Sequence, residues 1–184
     1  MNLIQLDIAL LAEENDLAIS AEVTKELFSN KSGRKKLMRI KTMDRSKSMK
    51  LQLIVTKDAQ SSAQKLNVGQ KIVAHIAPVD KHGHEQFFLL KIQDKAKAIN
   101  SGRIIGEITK LRVNDSYAYL TVKSGIHETN FYVSKDQPLS IVKQLKIGDP
   151  IAFTYSLHSQ INYNDFKHPY QKVAKVNQIL NYVN

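Results

Sequence analysis

The chain repeats itself. "AISAEVTK" (Ala18–Lys25) returns as "RIIGEITK" (Arg103–Lys110), 85 positions later. "LNVGQKIVAHI" (Leu66–Ile76) returns as "LKIGDPIAFTY" (Leu145–Tyr155), 79 positions later. Two matches in the same order, at nearly the same offset, mean that one architecture has to be built twice from about 80 residues. The repeat divides the 184 residues into an extension, 1–17, a first unit, 18–99, and a second unit, 102–184. Between the units, "KAINSG" (Lys97–Gly102) carries an Asn-Ser-Gly turn signal. In the extension, Ile4, Leu6, Ile8 and Leu10 alternate like an edge strand, while Leu3, Asp7, Leu11 and Glu14 fit helical spacing. Periodicity leaves both open there.

Each unit reads as strands interrupted by one short helix. In the second unit the pattern predicts strands over 103–113, 117–123 and 130–134, with "NDS" and "SGIHE" as turns. "KDQPLSIVKQL" follows as a helix: Asp136 suits the cap, Pro138 the first turn, and Ile141, Val142 and Leu145 give an apolar stripe. Strands over 151–157 and 171–183 complete it. The first unit has the same order after Ala18–Lys25: 35–43, 49–57, a helical "KDAQSSAQKL", 71–79 and 85–94. Three strands, a helix and two strands form the order of an oligonucleotide/oligosaccharide-binding (OB) barrel. The expected fold is therefore mainly β: two tandem five-stranded OB-like barrels, each with a short helix between strands three and four.

Two phrases carry a family resemblance. "LKIGDPIAF" (Leu145–Phe153) resembles the turn between helix and strand four in OB-fold single-stranded DNA-binding proteins, and "GEITKL" (Gly106–Leu111) resembles their opening strand. The resemblance implies a non-enzymatic protein that takes up single strands. Bacterial housekeeping members end in a flexible tail with an acidic, hydrophobic tip. This chain ends "NQILNYVN", so the resemblance points to a phage, plasmid or other mobile-element type.

Charge and side-chain alternation locate the expected surface. Lys and Arg number 27 against 17 Asp and Glu, a net charge of +10, which favours a polyanion. Strand residues alternate faces. In "YAYLTVK", Ala118, Leu120 and Val122 belong inside, leaving Tyr117, Tyr119, Thr121 and Lys123 outside. In "NFYVSK", Phe131 and Val133 belong inside, leaving Asn130, Tyr132 and Ser134 outside. Three tyrosines thus share the outer face of strands two and three, the oligonucleotide face of an OB fold. In the first unit, Met38, Ile40, Thr42, Met49, Leu51, Leu53 and Val55 are expected inside. Leu37, Arg39, Lys41, Lys50, Gln52, Ile54 and Thr56 are expected outside, with Arg39 and Lys41 where the second unit has tyrosines. Arg34, Lys35 and Lys36 stand in "NKSGRKK", read as a flexible basic loop between strands one and two. The run Lys31–Lys50 holds nine cations, Arg45 and Lys47 among them, against Asp44 alone. Of the thirteen aromatics, Phe28, Phe87 and Phe88 precede residue 101 and the other ten follow it. Rings stack bases with little regard to sequence, and cations neutralise phosphates.

The chain has no cysteine, which excludes a disulfide framework and a thiolate site. No metallohydrolase, phosphate-loop or nucleophile-elbow motif is present, and "KHGHE" (Lys81–Glu85) reads as a hairpin turn around Gly83 rather than a metal site. No cofactor, metal or catalytic residue is expected. No secretory signal or apolar run of spanning length occurs, which points to a cytoplasmic protein without a membrane partner. The reading is a protein that binds single-stranded DNA with little sequence preference, in replication, recombination or transfer of a mobile element. A homo-oligomer is compatible with it. Single-stranded RNA stays open as the ligand, since no residue reports on a 2′-hydroxyl. An assembly role in a phage particle or secretion complex, with the tyrosine face meeting protein, is the alternative of another class.

Overall fold

A computed structural model describes residues 14–43, 48–94, 98–135, 139–161, 167 and 170–182. The expected segment at Ile4–Leu10, Arg45, Lys47, Asp136 and Pro138 lie outside them. The described chain is mainly β, with ten strands: β1 (Glu14–Ser29), β2 (Lys36–Thr42), β3 (Lys50–Val55), β4 (Lys71–Lys81), β5 (His84–Asp94), β6 (Asn100–Val113), β7 (Tyr117–Ser124), β8 (His127–Ser134), β9 (Pro150–Ile161) and β10 (Tyr170–Tyr182). Strand order follows the alternation read from sequence. The strands run longer than expected at most ends, because backbone pairing continues past the apolar alternation.

All ten strands belong to one hydrogen-bonded system. Within it the pairing runs in two circuits of the same order. β1 pairs with β2, β2 with β3, β3 in parallel with β5, β5 with β4, and β4 with β1 again. Likewise β6 pairs with β7, β7 with β8, β8 in parallel with β10, β10 with β9, and β9 with β6. Between strands three and four of each circuit sits a helical plug. In the first, a 3₁₀ turn (Lys57–Ala59) runs into α1 (Gln60–Ala63), which buries Ala59, Ala63 and Leu66. In the second, α2 (Leu139–Val142) buries Leu139, Val142 and Leu145. Ile141, expected in the apolar stripe, is only half-buried. One turn of helix presents a single narrow face, and Leu139 and Val142 already fill it.

The inward residues come out as alternation requires. Ala118, Leu120, Val122, Phe131 and Val133 are buried, as are Met38, Ile40, Thr42, Met49, Leu51, Leu53 and Val55. Phe131 meets Phe153 edge-on at 4.7 Å and Tyr155 at 5.0 Å, the arrangement that ring quadrupoles favour. Two residues expected outside are covered instead. Leu37 is buried on the outer face because its cross-strand neighbours there, Phe28 and Ile54, are apolar and close over it. Thr121 is buried because its hydroxyl donates to Asn130 Oδ1 at 2.6 Å, under the wall of a groove described below.

β1 begins inside the segment read as an extension, and that part of it joins the two circuits. Residues Glu14–Ile19 pair antiparallel with Asn100–Ile105 of β6. In this register Leu17 faces Gly102, and these two positions are 85 apart, the offset of the repeat. The two opening strands therefore meet about a local two-fold axis, as in a self-complementary contact between identical units. Asn15 fastens the junction. Its Nδ2 donates to the Pro78 carbonyl at 2.9 Å and to Thr129 Oγ1 at 3.1 Å, and its Oδ1 accepts from the buried Tyr155 hydroxyl at 2.5 Å. Burial pushes the Tyr155 hydroxyl pKa up, with the nearby Asp16 carboxylate adding to it.

Glycine is required where β6 crosses onto β7. A Cβ on Gly106 would lie 2.1 Å from the Lys123 carbonyl oxygen, and backbone cannot step aside as a side-chain tip does. Gly106→Ala should lower the urea unfolding midpoint, with a loss of about 2 kcal/mol or more, in the range of overpacked sites. An unchanged midpoint would mean that the β6 crossover is not as close as described.

Candidate nucleic-acid interface

The site begins at a turn. Asn114 Oδ1 accepts the backbone N–H groups of Ser116 and Tyr117, at 2.9 and 2.8 Å. This Asx-type cap fixes the entry of β7 and thereby the face on which Tyr117 emerges. Tyr119 then stands directly opposite Tyr132 of β8. The three rings form one cluster: Tyr117–Tyr119 at 5.4 Å, Tyr119–Tyr132 at 5.4 Å and Tyr117–Tyr132 at 6.1 Å. Tyr119 is 47% exposed, an unusual value for the centre of an aromatic cluster. Lost hydration raises its hydroxyl pKa, Tyr132 and Tyr117 raise it further, and Arg112 works against them.

Pairing extends this cluster into a row of four side chains. Arg112 of β6 lies opposite Tyr119, Tyr119 opposite Tyr132, and Tyr132 beside Lys175 of β10. Two rings are thus bracketed by two cations. The corresponding row of the first circuit is Phe28, Leu37, Ile54 and Phe88. The register corrects the sequence reading here, because Leu37 and Ile54, not Arg39 and Lys41, occupy the positions of the two central tyrosines. The alternation was right, but alternation fixes the face and not the rung.

The basic residues form separate groups. Arg39, Lys41 and Lys50 share the outer face of β2 and β3, all exposed. Arg39 Nε donates to Gln52 Oε1 at 3.1 Å, and Lys41 stands directly opposite Lys50. Two like charges facing each other on a sheet repel unless something anionic lies over them. Arg34 and Lys35, both exposed, and the half-exposed Lys36 sit at the β1–β2 hairpin. That loop, read as flexible, is closed by Asn30, whose backbone N–H donates to the Lys35 carbonyl and whose Oδ1 accepts from Lys35 N. Lys123 is exposed but flanked by Glu107 and Glu128 on its rung, which offset its charge. Arg112, Lys110, Lys175, Phe28 and Phe88 were not singled out from sequence. The adjacent pair Phe87–Phe88 did hold a signal, since alternation must turn one ring outward. Phe87 is buried, while Phe88 is half-exposed and stacks on His127 at 5.5 Å. Lys25 Nζ and Arg39 lie over the Phe28 ring at 4.1 and 5.5 Å.

A groove of about 660 Å³ opens over the tyrosine row. Lys110, Arg112, Tyr119 and Tyr132 line one part of it. Asp80 and Glu85, from the tip of the β4–β5 hairpin, line another, with Gln160, Gln171 and Lys172 from β9 and β10. The tip turns through His82 (φ 53°) and Gly83 (φ 77°), both left-handed, as a two-residue hairpin loop demands. This is the "KHGHE" turn, and among the described residues no group of acidic or histidine side chains is placed to hold a metal ion. Asp80 Oδ1 accepts the Gly83 N–H at 3.0 Å, and its Oδ2 accepts from Asn130 Nδ2. A chain of hydrogen bonds, Thr121 to Asn130 to Asp80 to Gly83, therefore seats the first unit's hairpin on the second unit's tyrosine face. Glu85 stands beside it. The residue is exposed to solvent, yet protein around the carboxyl removes enough hydration to raise the pKa to about 7 from 4.5, Lys172 lowering and Asp80 raising it.

No family model and no curated protein matches the chain by sequence. By structure it is similar to single-stranded DNA binding protein from Thermus aquaticus. The wild-type crystal structure aligns with a TM-score of 0.66 at 13% identity, over 95% of this chain and 95% of that one. A deletion mutant of the same protein aligns with a TM-score of 0.61, also at 13% identity, over 94% and 96%. The chain therefore shares its fold with that protein, and the likeness spans both units. No helix among the described residues is long and apolar enough to cross a membrane.

Glu85 makes the groove sensitive to pH. Its folded pKa lies above its ordinary value, so the folded state holds a proton that the unfolded chain has released. The stability this contributes is complete below about pH 4.5 and is lost as pH rises through about 7. Wild type should therefore gain melting temperature, relative to Glu85→Gln, as pH falls from 8 to 5. Parallel melting curves across that range would show that Glu85 titrates normally.

Proposed function

We propose that the protein is a tandem OB-barrel protein that binds single-stranded DNA with little sequence preference. The observation that carries this reading is the row Arg112, Tyr119 and Tyr132 along an open groove, with Lys175 continuing the row and Tyr117 beside it. Tyr119 and Tyr132 offer ring faces to successive bases, each worth about 1–3 kcal/mol. Arg112, Lys110 and Lys175 take the phosphates, and Arg39, Lys41 and Lys50 extend the basic surface over the first unit. The facing Lys41–Lys50 pair supports a polyanion there. The fold likeness to the Thermus aquaticus protein supports DNA as the ligand. Replication, recombination or transfer of a mobile element is the setting we assign to it, on the sequence resemblance alone.

Fluorescence anisotropy with labelled oligo(dT) tests the reading. Tight binding at low salt should weaken steeply as salt rises, because released counterions drive it. Tyr119→Ala with Tyr132→Ala should lower affinity by about a hundredfold, since two stacked bases are lost, with the salt slope nearly unchanged. Arg112→Ala with Lys175→Ala should instead reduce the slope by about 1.4, at roughly 0.7 per phosphate. Absence of binding at low salt would refute the reading in favour of an assembly role. Equal affinity for oligo(U) would widen it to RNA.

A further inference from the structure

The groove is not uniformly cationic. One part of its lining has the rings and cations of β6–β8. Another has Asp80, Glu85, Gln160 and Gln171, side chains that accept hydrogen bonds, with the cation Lys172 among them. Acceptors beside a stacking platform are unnecessary for holding phosphate, and a carboxylate opposes it. They suit the edge of a base instead, because a single-stranded base stacked on a ring keeps its pairing edge free. Of the two carboxyls, Asp80 is already engaged by Gly83 and Asn130. Among the described residues no hydrogen bond holds the Glu85 carboxyl.

We propose that Glu85 reads base edges in this groove, favouring bases that present an exocyclic amino group over thymine. The inference rests on the nucleic-acid reading above and adds a modest preference to it. An ionised carboxylate accepts the N4 amino proton of cytosine. Thymine flanks its single N3–H with two carbonyl oxygens, which repel the same carboxylate. A neutral carboxyl loses this discrimination, since it both donates and accepts and can match either base. Lost hydration, Lys172 from β10 and Asp80 from β4 set when Glu85 ionises, while Lys110 and Arg112 from β6, Tyr119 from β7 and Tyr132 from β8 are the other charged and titratable groups lining the same groove. With its carboxyl titrating near 7, the preference should appear above that pH and fade below it. The Thr121–Asn130–Asp80 chain acts by positioning, since it fixes the hairpin tip that carries Glu85.

The test compares an alternating C/T 30-mer with oligo(dT) of the same length, for wild type and Glu85→Leu, at pH 8.5 and pH 6. Wild type should prefer the alternating strand by about fivefold at pH 8.5, less than a full base contact can give, and show near parity at pH 6. Glu85→Leu should bind both strands, each somewhat more tightly as a negative charge is gone, with parity at both pH values. Equal wild-type affinities at pH 8.5 would overturn the inference and leave the general binding function standing. A preference that survives in Glu85→Leu would overturn it too, by placing the discrimination elsewhere. If neither strand binds wild type, both readings fall together.

Discussion

The pairing of β1 with β6 is the contact on which the rest of the structure depends. Leu17–Ile19 hydrogen-bonds on one edge to β4 and on the other to β6. The same short stretch thus closes the first circuit and attaches the second. β6 does the reciprocal service, pairing with β1 and β9 over the same residues before turning to β7. Such a shared edge leaves no free strand end at the junction, where unpaired backbone groups would otherwise be buried or sticky. It requires close approach: a Cβ on Gly102 would sit 2.9 Å from the Leu17 Cα and from the Asp16 carbonyl oxygen. Leu17 has Gly102 as its partner because two identical bulky residues do not fit on a two-fold axis this tight.

From that junction the groove follows. The two-fold contact brings the β4–β5 hairpin of the first unit against β8 of the second, where Asp80 pairs with Glu128. Asn15, Thr129 and Pro78 hold the base of the contact, and Asp80 with Asn130 holds its tip. The tyrosine face is therefore not an open platform. It is one wall of a cleft whose other wall includes the first unit's hairpin, and this explains why Thr121, on the outer face, is buried. The two circuits differ at these positions. The first carries apolar residues in its central row and cations beside it, and the second carries rings in the row and cations at its ends.

Much of this was legible in the sequence, because strand alternation is a strictly local rule. The strand order and the inner residues of β2, β3, β7 and β8 follow from period-two patterning, and the place of the helices from caps and an apolar stripe, although Leu37 and Thr121 are covered on the outer face. The tyrosine cluster follows from the same patterning. Register does not, because it depends on bulges, such as those in β1 at Val23–Lys25 and Lys25–Phe28. Each shifts the partner by a residue without any mark in the local pattern. Matching Arg39 and Lys41 to the tyrosines failed because alternation gives the face and not the rung, and Leu37 with Ile54 takes the rung of Tyr119 with Tyr132. Lys175 was missed for another reason, since it reaches Tyr132 only by pairing with a strand 43 positions away, whereas Arg112 lies seven positions from Tyr119 across the β6–β7 hairpin and was within reach of the turn signal at Asn114–Ser116.

The sequence by itself determined the two-unit plan, the β class and the face on which Tyr117, Tyr119 and Tyr132 emerge, since each depends on residues a few positions apart. Only the tertiary structure decided which residues surround those rings. Glu85 and Asp80 lie 34 to 52 positions from Tyr119 and Tyr132, in the other unit, and no pattern in either unit places them together. The β1–β6 contact does so by rigid geometry. Seating Leu17 against Gly102 fixes the orientation of both circuits at once, and the hairpin tip arrives over the tyrosines as a consequence.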